Sequence, residues 1–287
     1  MPYAHNGDIS IYYEKYGPVD GPALIMIEGY TAQLVGWDKG FVQKLNDLGI
    51  QTILLDNRDV GLSSQTGTPD QTDKAYDITD MANDVLAVAD AEKLKTFNIM
   101  GESMGGMITQ EVLVDYPDHI SSAVIMFTAP SWGKEWMSTA DSAESGNNAG
   151  LDVASNRDQA IDLFVSREKA CHVNSAYPFN EEKARQLGAL TYDRCYRPDG
   201  WRRQQAATNS FSLDQNKLGK LTLPAAIIHG RRDPFFSPKA GIRISQLLRN
   251  SELHIYSGMA HEIPEPLWDE FAQIASRTIQ RGESSRG

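Results

Sequence analysis

The sequence Gly101-Glu102-Ser103-Met104-Gly105 restricts the fold of this chain more than any other feature. It follows an apolar run with strand propensity at residues 97–100, and it precedes a segment with helical character at residues 106–113. A serine on such a sharp strand-to-helix turn must adopt a strained backbone conformation, and flanking glycines let the strand and the helix approach closely. The pattern therefore predicts a turn that exposes the hydroxyl of Ser103 at the end of a strand.

Strand-like and helix-like segments alternate around this turn, which predicts a parallel sheet with helices on both faces. The strand predicted at residues 23–27 is an uninterrupted apolar run, as is typical of a strand buried on both faces. The predicted strands are residues 9–13, 23–27, 51–55, 97–100, 122–127, 225–230 and 252–256. Ligands of such sheets bind at the C-terminal ends of the strands. A last amphipathic helix begins near Leu267, and a frayed tail is expected from Arg281.

The alternation stops after Pro130 and resumes at residue 225. Residues 138–150 are small and polar without periodicity, which predicts a loop, and residues 151–213 are helix-like and rich in aromatic side chains. A helical insertion at the strand ends would cover the active-site face as a lid. The predicted domains are an α/β core formed by residues 1–130 and 215–287, and a helical cap formed by residues 131–214.

A catalytic triad is predicted from the residues that follow later strands. A serine hydroxyl is a weak nucleophile at neutral pH and needs a base within hydrogen-bond reach, oriented by a third group. In folds with a nucleophile elbow these partners follow in the order Ser, Asp or Glu, His. Asp233 and His261 lie just past two consecutive strands, so we predict the triad Ser103, Asp233 and His261. His229 is the alternative base, although packing or a backbone hydrogen bond is the simpler role at its strand end.

The triad also requires an oxyanion hole. The tetrahedral intermediate places negative charge on the former carbonyl oxygen, and each backbone N–H aimed at it is worth about 3 kcal/mol. Met104 follows the nucleophile at the start of its helix and should provide one N–H group. The loop after the strand that ends at Ile27 should provide the second, and Tyr30 is the predicted donor.

Charge and composition restrict the partners. The net charge of −11 disfavours nucleic acid and anionic membranes, and no apolar stretch approaches the roughly 20 residues of a membrane span. Cys171 and Cys195 lack metal-ligand spacing, and the six histidines form no H-x-x-x-H pattern, so no metal or other cofactor is expected. The N-terminus shows no signal-peptide pattern, which favours a cytoplasmic location. The oligomeric state does not follow from the sequence, and a homodimer is compatible with it.

The same segments show a resemblance that extends over nearly the full chain. The chain resembles the α/β-hydrolase superfamily and is most similar to aclacinomycin methylesterase-like bacterial esterases. The resemblance lies in Glu28-Gly29-Tyr30, Ala32-Gln33-Leu34-Val35-Gly36-Trp37, residues 56–63, residues 101–105, residues 229–234 and residues 258–264. It implies the α/β-hydrolase fold and the triad named above. It implies little about the substrate, because such enzymes differ most in the cap.

One position departs from the pattern of the family. Most relatives have His-Gly where this chain has Glu28-Gly29. A carboxylate there, with Glu102 beside the nucleophile, would oppose the developing oxyanion unless Glu28 is turned away or paired. We expect Glu28 to form hydrogen bonds that support the loop, and we expect Glu102 to point away from the substrate.

The aromatic side chains of the insertion indicate an apolar pocket. The candidates for its wall are Trp132, Trp136, Trp201 and Phe236. The predicted function is that of a serine hydrolase of the carboxylesterase class. It would cleave a neutral ester of an apolar small molecule through an acyl-serine intermediate, and a lactone is chemically equivalent. The alternatives are a carbon–carbon bond hydrolase of the meta-cleavage-product type and a non-catalytic ligand receptor on the same fold.

Overall fold

The computed structural model describes residues 2–67, 75–138 and 152–285. Eight strands form one sheet in the order β1-β2-β4-β3-β5-β6-β7-β8. The strands are β1 (Tyr3–Asn6), β2 (Ile9–Tyr16), β3 (Ala23–Ile27), β4 (Gln51–Leu55), β5 (Phe97–Glu102), β6 (Ile120–Met126), β7 (Ala225–Gly230) and β8 (Ser251–Tyr256). The first two strands are antiparallel to their neighbours, and all later pairs are parallel. The predicted mostly parallel sheet is therefore confirmed.

Helices cover both faces of the sheet, as the alternating pattern predicts. The helices of eight or more residues in the described chain are α1 (Lys39–Asp47), α2 (Ile78–Ala91), α3 (Met104–Asp115), α4 (Arg157–Cys171), α5 (Glu181–Cys195), α6 (Trp201–Asn209), α8 (Pro238–Leu247) and α9 (Trp268–Ser284), and the short helix α7 (Gln215–Leu218) precedes β7. One apolar cluster joins the sheet to α2, α3 and α8, and a second joins it to α1 and α9. This two-sided burial explains why β3 is a continuous apolar run and why its neighbours are mostly apolar.

Local signals set the helix ends. The Asp77 side chain accepts a hydrogen bond from the backbone N–H of Asp80, and the Asp80 side chain accepts one from Asp77, which forms a capping box at the start of α2. Gly49 follows α1 with a φ of 82°, in the left-handed region that glycine adopts without strain. The expected frayed tail from Arg281 is wrong as far as Ser284, because α9 continues to that residue. Gly282 lies so close to β6 that a Cβ there would approach the backbone oxygen of Ser121 within 2.4 Å.

Helices α4, α5 and α6 lie between β6 and β7, in the part of the chain where the sequence predicts a cap. Helices α4 and α5 pack on each other around a small apolar cluster of Ile161, Val165 and Ala184. Helix α6 is attached to the core through Arg203, which forms a fully buried ion pair with Asp59. The loop predicted at residues 138–150 falls, apart from Ser138, outside the described residues.

Candidate active site

The turn between β5 and α3 holds Ser103 in a strained conformation. Its φ of 53° and ψ of −118° lie outside the regions that non-glycine residues ordinarily adopt. A Cβ at Gly101 would lie 2.1 Å from the carbonyl oxygen of Gly105, and a Cβ at Gly105 would lie 2.1 Å from that of Ile27. Only glycine fits at these two positions, so the sequence pattern permits the close approach of strand and helix that presents Ser103 to a cavity.

Three side chains from three different loops meet at this turn. The Oγ of Ser103 lies 3.0 Å from Nε2 of His261, and Nδ1 of His261 lies 2.8 Å from Oδ2 of Asp233. The other oxygen of Asp233 accepts hydrogen bonds from the backbone N–H groups of Phe235 and Phe236, at 2.8 and 2.9 Å. Because a carboxylate only accepts, Nδ1 of His261 holds the proton and Nε2 is free to accept the proton of Ser103. The structure thus brings together the three residues predicted as a triad.

The surroundings of His261 favour its protonated form. The rings of Phe127, Phe235 and Phe236 pack around the imidazole, with centroid distances of 4.8, 5.0 and 5.9 Å. Burial by itself lowers the pKa of His261, but the carboxylate of Asp233 outweighs this effect, and the pKa is raised above its ordinary value. The imidazolium that forms when Ser103 is deprotonated is therefore stabilised where it is needed.

The alternative base, His229, occupies a different environment. Its ring is fully buried, and Nε2 lies 3.0 Å from the backbone oxygen of Phe236, to which it donates. Burial lowers the pKa of His229, which keeps the ring neutral. The same ring lies 3.6 Å from Oδ2 of Asp233. His229 therefore supports the loop that holds Asp233, while His261 is the histidine that contacts Ser103.

Two backbone N–H groups are available as the predicted oxyanion hole. Tyr30 and Met104 both line the cavity that Ser103 faces. Within residues 2–67, 75–138 and 152–285, neither of their N–H groups donates to a protein acceptor. The N–H groups on both sides of Tyr30 are occupied, because Gly29 donates to Oε1 of Glu102 at 2.7 Å and Thr31 donates to Oε1 of Gln204 at 2.9 Å. These two bonds hold the loop and leave the N–H of Tyr30 free.

Strand register places Glu28 beside Glu102. Ile27 pairs with Gly101 across β3 and β5, so the next residue of each strand lies side by side. The two carboxyl groups share a hydrogen bond, and both line the cavity. The expectation that Glu102 points away from the substrate is therefore wrong, because Glu102 turns towards Gly29 and Glu28. Glu28 is paired with Glu102, which is one of the two arrangements that would keep its carboxyl group from opposing the developing oxyanion.

The pairing of Glu28 and Glu102 limits the negative charge near the oxyanion hole. Burial, followed by the charge of Glu102, raises the pKa of Glu28 well above its ordinary value. Burial also raises the pKa of Glu102, so both shifts favour a pair that retains a proton. A proton held by the pair reduces the conflict between these carboxyl groups and the developing oxyanion.

A cavity of about 470 Å³ adjoins Ser103, within the usual size range for small-molecule sites. Among the residues predicted as its wall, Trp132, Trp201 and Phe236 line it. Trp136 lies outside the lining, because its Nε1 donates to Oγ of Ser131 at 3.0 Å and its ring packs on the core. Side chains of α4, α5 and α9 also line the cavity, and no sequence pattern predicts them. These include Phe164, Arg167, Glu168, Cys171, Tyr192 and Trp268.

The described residues show neither a metal-binding cluster nor a membrane-spanning helix. Among the described residues, His, Cys, Asp and Glu side chains nowhere assemble in groups of three or more that could hold a metal ion. In that same part of the chain, no helix combines the length and the apolar character that crossing a bilayer requires.

The fold and the site define a hydrolase of the α/β type. Residues 22–265 match the family described as having the alpha/beta hydrolase fold, and the chain belongs to this family.

Individual relatives include esterases and other hydrolases. The chain is 24% identical to a putative carbamate hydrolase from Variovorax paradoxus, over 89% of this chain and 91% of the relative. It is 24% identical to a rhodomycin D methylesterase from Streptomyces peucetius, over 91% of this chain and 93% of the relative. Its fold is similar to that of a putative aryl esterase from Burkholderia cenocepacia, with a TM-score of 0.77, 18% identity and 99% coverage of both chains.

Proposed function

We propose that this hydrolase is a carboxylesterase that cleaves a small-molecule ester or lactone through an acyl-serine intermediate. The observation that carries the proposal is the continuous hydrogen-bond relay from Ser103 to His261 to Asp233, with distances of 3.0 and 2.8 Å. These distances lie within the reach that proton transfer requires. The adjoining cavity gives an ester room to place its carbonyl group next to Ser103.

Acylation follows from the positions of these groups. Oγ of Ser103 attacks the carbonyl carbon of the ester while Nε2 of His261 accepts the hydroxyl proton. The charge on the carbonyl oxygen is stabilised by the free N–H groups of Tyr30 and Met104. The imidazolium, held by Asp233, then donates its proton to the departing alcohol oxygen, and the acyl group remains on Ser103.

Deacylation repeats these steps with water as the nucleophile. His261 accepts a proton from water, the resulting hydroxide attacks the acyl carbon, and Ser103 leaves with the proton that His261 returns. The acid is released and the free enzyme is restored. In a lactone the alcohol stays tethered to the acyl group, and the same steps open the ring.

The proposal includes the substrate-covering role of the cap. We assign residues 131–214 to the cap because side chains of α4, α5 and α6 line the same cavity as Ser103. The aromatic residues in the lining support a substrate with an apolar part. The cytoplasmic location remains a prediction of the sequence.

The test is hydrolysis of short p-nitrophenyl esters by a Ser103→Ala variant. We expect kcat to fall by about 10⁴-fold or more, because the variant lacks the nucleophile. A matched control is Ser245→Ala, since Ser245 lies outside the cavity lining and its exposed hydroxyl donates to the backbone oxygen of Ile242. Unchanged turnover in Ser103→Ala, with both variants folded, would contradict the proposal. Cleavage of a dienoate in preference to every ester and lactone would instead favour carbon–carbon bond hydrolysis.

A further inference from the structure

An arginine in the cavity wall has neither a hydrogen-bond partner nor an ion-pair partner among the described residues. Arg167 lies on α4 and lines the cavity next to Ser103. Across the described ranges, its guanidinium group forms no hydrogen bond or ion pair, and Nη1 is completely buried. The other arginine of the lining, Arg197, is tethered to the backbone oxygens of Gly61 and Ser63. Arg167 is therefore a charged donor that the protein itself leaves unused.

Aromatic rings pack against the guanidinium group of Arg167. The guanidinium lies over the ring of Trp201 with 4.6 Å between Cζ and the ring centroid, and 5.9 Å from that of Phe164. Stacking on aromatic rings covers the faces of the guanidinium plane, while the N–H groups at its edge can still bind a carboxylate at two points.

Burial without a partner is unfavourable for a charged group. Burial lowers the pKa of Arg167, which reflects the loss of water around the guanidinium. A buried charge is ordinarily paired, and a cation without an internal partner can be stabilised by an anion that enters the cavity. A bound anion would therefore stabilise the unpaired guanidinium group of Arg167.

A second unused donor lies in the same wall. The hydroxyl of Tyr30 is buried, and it has no hydrogen-bond partner in the described part of the chain. Its charge interaction with Arg167 lowers the pKa of Tyr30, although burial raises that pKa overall. The two side chains are therefore electrostatically coupled. The backbone N–H of Tyr30 is one of the proposed oxyanion donors, so the two ends of this residue can serve two oxygen atoms of one substrate.

Acidic side chains define the other part of the cavity. Glu168 follows Arg167 in α4 and also lines the cavity. The charges of the two residues interact, although no ion pair joins them within the described residues. Burial raises the pKa of Glu168, the charges of His172 and Arg167 oppose this effect in part, and the charge of Glu102 adds to it. The charge of Glu102 would repel an anion, whereas the guanidinium of Arg167 and the hydroxyl of Tyr30 would attract one.

We propose that Arg167, stacked on Trp201 and assisted by the Tyr30 hydroxyl, forms a subsite for a carboxylate of the substrate. The ester would then bear a free carboxylate in addition to the ester group that Ser103 attacks. This inference rests on the proposed esterase function and replaces the neutral ester expected from the overall acidic charge. Substrate selection would then depend on the positive charge of Arg167, although the protein as a whole is acidic.

The test compares esters that differ only in the anionic group. One series consists of p-nitrophenyl monoesters of linear dicarboxylic acids, each matched with the ester whose free carboxylate is replaced by a carboxamide. A second pair, acetoxybenzoate and acetoxybenzamide, places the charge on the alcohol part. We expect kcat/KM to favour the carboxylate member of at least one pair by about tenfold to a hundredfold, as hydrogen bonds to charged groups allow.

Variants separate recognition from folding. Arg167→Gln should reduce the carboxylate-to-carboxamide ratio of kcat/KM to near one, and Arg167→Lys should restore part of it. The control is Arg185→Gln, because Arg185 lies on α5 and pairs with Asp162 on the exposed surface. The control should keep the full ratio. An equal loss of activity on both members of a pair in Arg167→Gln would indicate a structural role and overturn the subsite.

A binding measurement distinguishes failure of the subsite from failure of the esterase proposal. Titration of the Ser103→Ala variant with the preferred dicarboxylate monoester, or with adipate when no ester is turned over, reports carboxylate binding without chemistry. We expect binding that is weakened at least tenfold when Arg167→Gln is added. Equal affinity with and without Arg167 would overturn the subsite, whatever the outcome for ester turnover. Absence of turnover for all esters in the unaltered protein would instead contradict the esterase function.

Discussion

The buried ion pair between Arg203 and Asp59 makes a quantitative prediction about how the cap segment is attached to the core. Nε and Nη2 of Arg203 each donate to one oxygen of Asp59 at 2.9 Å, and both side chains are 0% exposed. Replacing Arg203 by methionine preserves much of the volume and leaves a buried carboxylate without its cation. We expect the free energy of unfolding to fall by about 3–5 kcal/mol.

The chain offers a matched control for this prediction. Arg157 and Asp193 form the same two-point geometry, with distances of 2.7 and 2.6 Å, but their side chains are 45% and 54% exposed. Because water screens an exposed pair, Arg157→Met should cost only about 0.2–1 kcal/mol. Urea unfolding of both variants, followed by circular dichroism, measures the two costs. Equal costs would refute the reasoning that burial, and not the geometry of the pair, determines how much an ion pair contributes to the free energy of unfolding.

Three further predictions concern the active site. Asp233→Asn should lower kcat for p-nitrophenyl esters by about 10⁴-fold, because His261 would lose the carboxylate that sets its tautomer; a loss below tenfold would argue against this role. Glu102→Ala should lower kcat by roughly tenfold or more with little change in KM, since the N–H of Gly29 loses a charged acceptor. Because the pKa of Glu28 is raised in the folded protein, the protonated carboxyl group contributes its full stabilisation below the ordinary pKa of 4.5. This contribution is lost as pH rises through the pKa of Glu28 in the folded state. Urea unfolding at about pH 5 and about pH 8 should therefore show a smaller loss of stability for Glu28→Gln than for the unaltered protein, and equal losses would contradict a protonated Glu28.

The sheet is the part of the fold that the sequence predicts best. The bounds of β3, β4 and β7 coincide with the predicted strands at residues 23–27, 51–55 and 225–230. All three strands are buried throughout and mostly apolar, as is typical of strands covered on both faces. The prediction omits β1, an edge strand with the polar ends Tyr3 and Asn6 and one buried residue, Ala4. It also omits α8, although Ser237 and Pro238 form a recognisable helix start there.

The catalytic residues could be selected from the sequence because each one has a position relative to a strand. The register of neighbouring strands then brings these positions to one edge of the sheet. No comparable rule predicts which residues form the cavity wall. Arg167 and Glu168 lie on a cap helix, and nothing in the helix sequence shows which face meets the core. The pairing of Glu28 with Glu102 depends on the register of β3 and β5, which the sequence analysis does not assign.

The central claim is that Ser103 is the nucleophile of an ester hydrolase. The most direct measurement is labelling with a fluorophosphonate probe, followed by peptide mass spectrometry to locate the modified residue. Labelling should occur on Ser103 alone, and it should be slowed strongly in His261→Ala, because the base that activates the hydroxyl is absent. Failure of Ser103 to react in the folded, unaltered protein, or reaction at another serine at the same rate, would contradict the account.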